Sequence, residues 1–212
     1  MGREFIHTFE QWADHYDHSV FGGDREYKEV FKNYDLILEE VAKHARGAVL
    51  EFGVGTGNLT QKLIDRGLDV VGIEPSEKMR EKAQTKLPNL QLVDGDFLDF
   101  PLPDHPIDSI VSSFAFHHLT DEEKEQAIEK YSRLLPINGR IVFADTLFDS
   151  ELEKKKVHRW ARANGYAHLL KDLNTEYYPL RSNLYTAFRK KHFVPYFKQL
   201  NRFAWLIVAE KN

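Results

Sequence analysis

The 212 residues carry 29 Lys plus Arg against 33 Asp plus Glu, a formal charge of −4; the length suits one α/β domain, and the charge is opposite to the basic excess of a nucleic-acid binder. Hydrophobic residues make up 42% and charged ones 29%, and 15 Phe, 9 Tyr and 3 Trp supply bulky core material, so disorder is excluded for most of the chain. Cysteine is absent, which removes disulfides, thiolate metal sites, iron-sulfur clusters and every mechanism with a cysteine nucleophile.

In chain order, Met1 to Ile6 lacks the apolar stretch of a signal peptide, and the longest apolar run, residues 203–209, is only strand-length. A cytoplasmic protein with no membrane association is therefore expected. Residues 27–42 place Val30, Phe31, Tyr34, Ile37, Leu38 and Val41 on one helical face and predict a helix. Residues 48–52, 70–73, 90–93, 107–112 and 140–144 are short and β-branched and predict five parallel strands. Between them, 59–66 and 76–87 read as helices, and Thr120 followed by Glu123 forms a capping box for a helix running to Leu135. Asn138-Gly139 turns the chain into the fifth strand, and a helical stretch broken by Pro179 follows it. The last two strand-like segments, 193–200 and 203–210, are joined too closely for a crossover and should pair antiparallel. The expectation is a doubly wound, mostly parallel seven-stranded sheet closed by an antiparallel hairpin. It forms one domain: an N-terminal helical cap over 1–45, a core over 46–145, a helical lid over 146–190 and the hairpin over 191–212.

The most specific signal is Val49-Leu50-Glu51-Phe52-Gly53-Val54-Gly55-Thr56-Gly57-Asn58-Leu59, a buried strand passing through a glycine-rich turn into a helix. Glycine is needed where the turn is tight and a ligand must approach the backbone. Seventeen residues beyond Gly57, Glu74 ends the second strand, where a carboxylate can accept both hydroxyl protons of a ribose. The dinucleotide fingerprint G-x-G-x-x-G has its third glycine at the position held here by Asn58, which weakens a pyrophosphate reading.

The pattern E-x-G-x-G-x-G, with an acidic residue closing the second strand, resembles motifs I and II of the class I S-adenosylmethionine-dependent methyltransferases. The resemblance runs over residues 10–145 and, more loosely, the last twenty, and it implies a Rossmann-like fold with 46–145 as the cofactor-binding core. It further implies that Gly53, Gly55 and Gly57 pass beneath the methionine part and ribose of S-adenosylmethionine, that Glu74 binds the ribose hydroxyls, and that Asp96 and Phe97 hold adenine. Glu51 matches the acidic residue that opens motif I, near the cofactor's amino group. Trp12 to Asp17, with Tyr16, resembles the segment that many small-molecule members fold over the cofactor. One departure is that Lys191-His192-Phe193 lacks the glycine usual before the sixth strand.

His117 and His118 follow the fourth strand, at the sheet edge where open α/β folds bind ligands, and His117 is the candidate catalytic residue, touching the substrate or relaying its proton. Asp145 ends the fifth strand at the same edge, and Tyr177 and Tyr178 read as lid packing. Without cysteine, C5-pyrimidine methylation through a covalent adduct is excluded; Ser112-Ser113-Phe114-Ala115 is not the Asn/Asp-Pro-Pro-Tyr loop of amino-directed nucleic-acid methylases and lacks the aspartate of magnesium-dependent catechol-type enzymes. The resemblance thus implies a metal-independent, in-line transfer of methyl to a small molecule, with no nucleic-acid partner. A non-catalytic module binding S-adenosylmethionine or S-adenosylhomocysteine, and a nicotinamide-dependent oxidoreductase, are the alternatives.

Overall fold

The computed structural model describes residues 3–212, so the first two positions of the expected 1–45 cap lie outside the described residues. Strands β1 (Ala48–Phe52), β2 (Asp69–Ile73), β3 (Gln91–Val93), β4 (Ser109–Ser113) and β5 (Arg140–Thr146) run parallel, while β6 (Phe193–Gln199) and β7 (Ala204–Lys211) close the sheet antiparallel. The order β3-β2-β1-β4-β5-β7-β6 reverses direction between β1 and β4, and the crevice beyond their carboxyl ends is where such sheets bind ligands.

Alternation along the strands divides the core into two layers. Val49, Val111, Val142 and Leu206 join one cluster with α3 (Tyr34–His44) and α4 (Asn58–Asp65), and Leu50, Phe52, Phe143 and Ile207 join the other with α6 (Asp121–Leu134) and α9 (Arg181–Lys190). Both faces are therefore covered, as a parallel sheet requires. Phe52 lies against Phe97, Phe100 and Tyr131, with ring centroids 4.8–5.3 Å away, and each such pair adds about 0.5–1.5 kcal/mol beyond burial. The Tyr131 hydroxyl donates to the Phe97 carbonyl at 2.9 Å, so this layer also holds the loop after β3.

Helices α1 (Ile6–Trp12) and α2 (Tyr16–His18) before the sheet, α5 (Glu77–Lys86) after β2 and α8 (Ala167–Thr175) after β5 wall the crevice, and α7 (Glu151–Ala163) packs behind α8. No helix among the described residues is long and apolar enough to cross a membrane. The helix expected over 27–42 begins only at Tyr34. Asn33 takes a left-handed conformation (φ 63°), and the Asn201 side chain donates to the carbonyls of Val30 and Lys32, which a continuous helix would use internally. Val30 and Phe31 are nonetheless buried, so their spacing reported a packed turn. At the sixth strand, His192 itself adopts φ 65° and stands in for the missing glycine.

The insertion after β5 is tied down at its carboxyl end. Phe148 bridges Leu180, the Tyr177 amide donates to the His117 carbonyl at 3.1 Å, and the buried Lys124 ammonium donates to the carbonyls of Tyr177 (2.7 Å) and Leu119. Lys124→Met keeps apolar volume and removes both donors, leaving two carbonyls without partners. It should destabilise the protein by about 1–3 kcal/mol in urea melts, and the Tyr177 amide should exchange with solvent faster than in the parent. Unchanged protection at Tyr177 would show that Lys124 does not hold this segment.

Candidate functional site

Three left-handed glycines shape the loop after β1: Gly53 (φ 68°), Gly55 (φ 57°) and Gly57 (φ 83°). A Cβ on Gly53 would stand 2.8 Å from that of Ala115, whereas one on Gly55 would meet nothing among the described residues within 4 Å and would project into open space at the cavity wall. The loop is fastened by Glu74, whose Oε2 accepts from the Gly55 amide (2.8 Å) and whose Oε1 accepts from the Ser76 amide (2.9 Å). Burial pushes the Glu74 carboxyl up to about 7 against the pull of those two donors. Glu51, also buried, accepts from the Thr60 hydroxyl at 2.7 Å, and burial pushes it up to about 8.

The N-terminal segment lies across this loop. Asp17 accepts from the Thr56 hydroxyl (2.6 Å) and the Asn58 amide (2.9 Å), and Glu10 accepts from the Ser76 hydroxyl (2.6 Å). Trp12 meets Tyr16 edge-on at 5.2 Å. Asp96 Oδ1 accepts from the amides of Leu98 and Asp99, both at 2.9 Å, and its Oδ2 accepts from Arg3 Nε at 2.8 Å. Asp96 therefore caps its own turn and anchors the start of the described chain.

Between these walls lies a cavity of about 500 Å³, within the roughly 300–1,000 Å³ of small-ligand pockets. Its far end is built from charge. The His117 amide donates to Asp145 Oδ2 (2.9 Å), its Nδ1 stands 2.5 Å from Asp145 Oδ1, and its ring stacks on Tyr178 at 4.8 Å. Its Nε2 faces Glu176 Oε2 at 3.4 Å. Burial opposes the charged imidazole, but Asp145 and Glu176 outweigh it and raise His117 to about 10, so it is an imidazolium at neutral pH rather than a free base. His118 Nδ1 donates to the Ala115 carbonyl at 2.9 Å, which turns the Nε2 lone pair toward Glu176. Phe5 and Phe9 cover the His118 ring, both at 5.0 Å.

Of the residues expected from sequence, Tyr16, Gly53, Gly55, Glu74, Asp96, Phe97 and His117 all line this cavity. Glu51 and Gly57 do not line it: Glu51 is bonded beneath the loop, and Gly57 starts α4 with Leu87 packed against it. Asp145 reaches His117 rather than open space. Sequence reasoning missed Glu176, whose only local signal was a carboxylate beside Tyr177-Tyr178-Pro179. A buried carboxylate at the cavity wall, a glycine with open space above it and a cavity of this volume fit S-adenosylmethionine.

A family model described as "Methyltransferase domain" matches residues 49–139. An uncharacterized methyltransferase of Geobacillus sp. (strain WCH70) is 55% identical over 213 residues, covering 100% of both chains. Another from Oceanobacillus iheyensis is 52% identical over 211 residues, covering 100% of this chain and 99% of its own. Among solved structures, Streptomyces venezuelae DesVI superposes with a TM-score of 0.68 at 16% identity, covering 94% of this chain and 98% of that one. Magnesium protoporphyrin IX methyltransferase from Synechocystis PCC 6803 with bound SAM gives a TM-score of 0.64 at 14% identity, covering 89% and 85%. These two similarities show the fold.

The buried carboxyls make stability depend on pH. Glu51 holds its proton more tightly folded than unfolded, so its cost is absent below about pH 4.5, grows as pH rises and is complete above about 8. Glu51→Gln keeps an acceptor for Thr60 and removes the charge. The ligand-free variant should melt higher than the parent at pH 9, by at least about 1 kcal/mol or roughly 2–4 °C, and alike at pH 4.5. Equal melting temperatures at pH 9 would mean that Glu51 is not held out of water.

Proposed function

The chain belongs to the class I S-adenosylmethionine-dependent methyltransferases, and from that premise we propose that it carries methyl to a small-molecule acceptor lodged beside His117, by in-line displacement with no metal taking part in the displacement itself. The observation that carries this reading is one cavity lined by Glu74, the glycine loop and His117 together. The nicotinamide alternative falls with the family, and space beyond the loop side argues against a module that only binds the cofactor.

In this reading Glu74, already oriented by the Gly55 and Ser76 amides, takes the ribose hydroxyls, and Phe97 lies against adenine. Asp96 Oδ2 accepts from the adenine amino group in place of Arg3. Gly53 and Gly55 pass beneath the methionine part, while Gly57 and Glu51 support the loop from behind. S-adenosylmethionine supplies a methyl on a cationic sulfur, an electrophile that needs no further activation. What the chain must do is align the acceptor and exclude water. Phe5, Phe9 and Trp12 of the 1–45 cap and Leu169 and Leu173 of α8 in the 146–190 insertion form an apolar roof for that purpose. Cap and insertion together select the acceptor, and a roofed cavity of this size suits a metabolite rather than a nucleic-acid strand.

Calorimetry with S-adenosylhomocysteine, followed by methyl-donor turnover against a panel of metabolite acceptors, tests the reading. Glu74→Ala should weaken S-adenosylhomocysteine binding ten- to hundredfold, about 1.5–3 kcal/mol, in a protein that still folds; unaltered affinity would refute the ribose assignment. Gly55→Val places a branched side chain in the open space beside the loop, and it should abolish binding while the melt stays cooperative. Normal binding by that variant would place the cofactor elsewhere.

A further inference from the structure

The displacement accounts for the loop side of the cavity and leaves the charged far end without a task. Three side chains meet there, His117 and His118 from the turn after β4 and Glu176 from the insertion, each offering one ligand atom within 4.8 Å of the others. His117 Nε2 stands 3.4 Å from Glu176 Oε2 and His118 Nε2 stands 3.7 Å from Glu176 Oε1. These separations are long for hydrogen bonds between buried charged groups, whose ordinary length is about 2.7–2.9 Å. The shorter is close to the edge of a coordination shell, in which two donors each about 2.0–2.1 Å from a tetrahedral centre lie about 3.3 Å apart, and the longer, to the other carboxylate oxygen, closes to such an edge with a small shift of the side chains.

Each of the three also has its own outer partner. Asp145 holds His117 Nδ1, the Ala115 carbonyl holds His118 Nδ1, and the Tyr178 hydroxyl donates to Glu176 Oε2. A carboxylate or carbonyl on the far nitrogen of a ligating histidine fixes the ring and turns the Nε2 lone pair to the metal, which at His117 takes the place of the Nε2 proton. Here that arrangement occurs twice, around one shared carboxylate. The backbone adds rigidity, since the Tyr177 amide donates to the His117 carbonyl and pins Glu176 to the histidine turn.

We propose that His117, His118 and Glu176 form a binding site for one divalent transition-metal cation of the zinc type at the acceptor end of the cavity. Two imidazole nitrogens and one carboxylate oxygen suit zinc, cobalt or nickel better than magnesium or calcium, which prefer oxygen alone. Three protein ligands leave a position open toward the cavity, as in zinc sites that act on substrates. The inference rests on the methyl-transfer reading only for the acceptor's location. It departs from the expectation of no metal by giving the cation the task of holding the acceptor, with the displacement unchanged.

Cobalt(II) is the probe. Titrated into untagged, metal-stripped full-length protein, it should form a one-to-one complex with the intense visible absorption of a four- or five-coordinate site, and zinc should bleach that absorption. His118→Ala and Glu176→Gln should each weaken cobalt binding by at least about 100-fold, and Asp145→Asn, which touches only the outer partner, by about 10- to 100-fold. In the unaltered protein, zinc should shift the ring-nitrogen resonances of two of the ten histidines, His117 and His118, and this measurement decides should a variant not fold. Absence of stoichiometric cobalt binding, indifference to both ligand substitutions, or shifts confined to other histidines would overturn the site. S-adenosylhomocysteine calorimetry on the same samples separates the two readings: binding without cobalt uptake removes the metal alone, and a parent protein that takes up cobalt but not S-adenosylhomocysteine removes the function.

Discussion

The carboxylate of Glu74 joins three segments that the sheet ladder leaves apart. In the loop of left-handed glycines the Gly53 amide still donates to the Ile73 carbonyl of β2, but the Gly55 amide has to find an acceptor elsewhere. Glu74, at the end of β2, supplies one oxygen to that amide and the other to Ser76 at the start of α5. The cap is then placed by what this arrangement presents: Glu10 takes the Ser76 hydroxyl, and Asp17 takes Thr56 and Asn58 from the loop. Loop, second strand and roof therefore share one anchor. The same carboxylate is held against its own desolvation, a cost that proteins keep where a ligand needs the charge.

The two ends of the cavity solve the problem of buried charge differently. On the loop side, Glu51 and Glu74 lean on neutral donors, a hydroxyl and two amides, with no cation among the described residues bonded to either carboxylate. Glu74, which lines the cavity, gains from an incoming ligand that donates hydrogen bonds. On the far side, Asp145 and Glu176 flank His117, which lies between two negative charges and carries a positive one. That end is already balanced, and a neutral acceptor would not displace the imidazolium from it. A cation that displaces the His117 proton satisfies both carboxylates and, with ligand positions to spare, still offers a contact to the acceptor, which is why the geometry there carries more meaning than the presence of histidines alone.

How much of this was legible in the sequence follows from how local each feature is. The strands and the glycine loop repeat over a few residues and are dictated by backbone sterics and burial, so alternation and spacing reported them to within about two residues. The start of α3 was misread because Asn201, 168 positions beyond Asn33, takes the carbonyls that would have continued a helix. A glycine was sought before β6 where His192 accepts the same backbone conformation. Asp96 was legible as an acid in the right place, but its engagement with Arg3 depends on the path of the cap across the sheet. Glu176 carried no local mark, because its meaning comes only from a partner 59 residues away.

That distance bears on how one fold serves different acceptors. The loop, Glu74 and Asp96 belong to the sheet edge and its immediate turns, so their geometry survives changes in the segments laid over them. Glu176 belongs to the insertion, yet its position is set by the core: the Tyr177 amide binds the His117 carbonyl, and Lys124 of α6 binds the Tyr177 carbonyl. An insertion with a different path would keep the cofactor wall and lose the third group at the far end. Conversely, an altered α6 without Lys124 would loosen that group while leaving the glycine loop intact. The acceptor end is therefore a joint product of core and insertion, and the contacts of Tyr177 are where one imposes its geometry on the other.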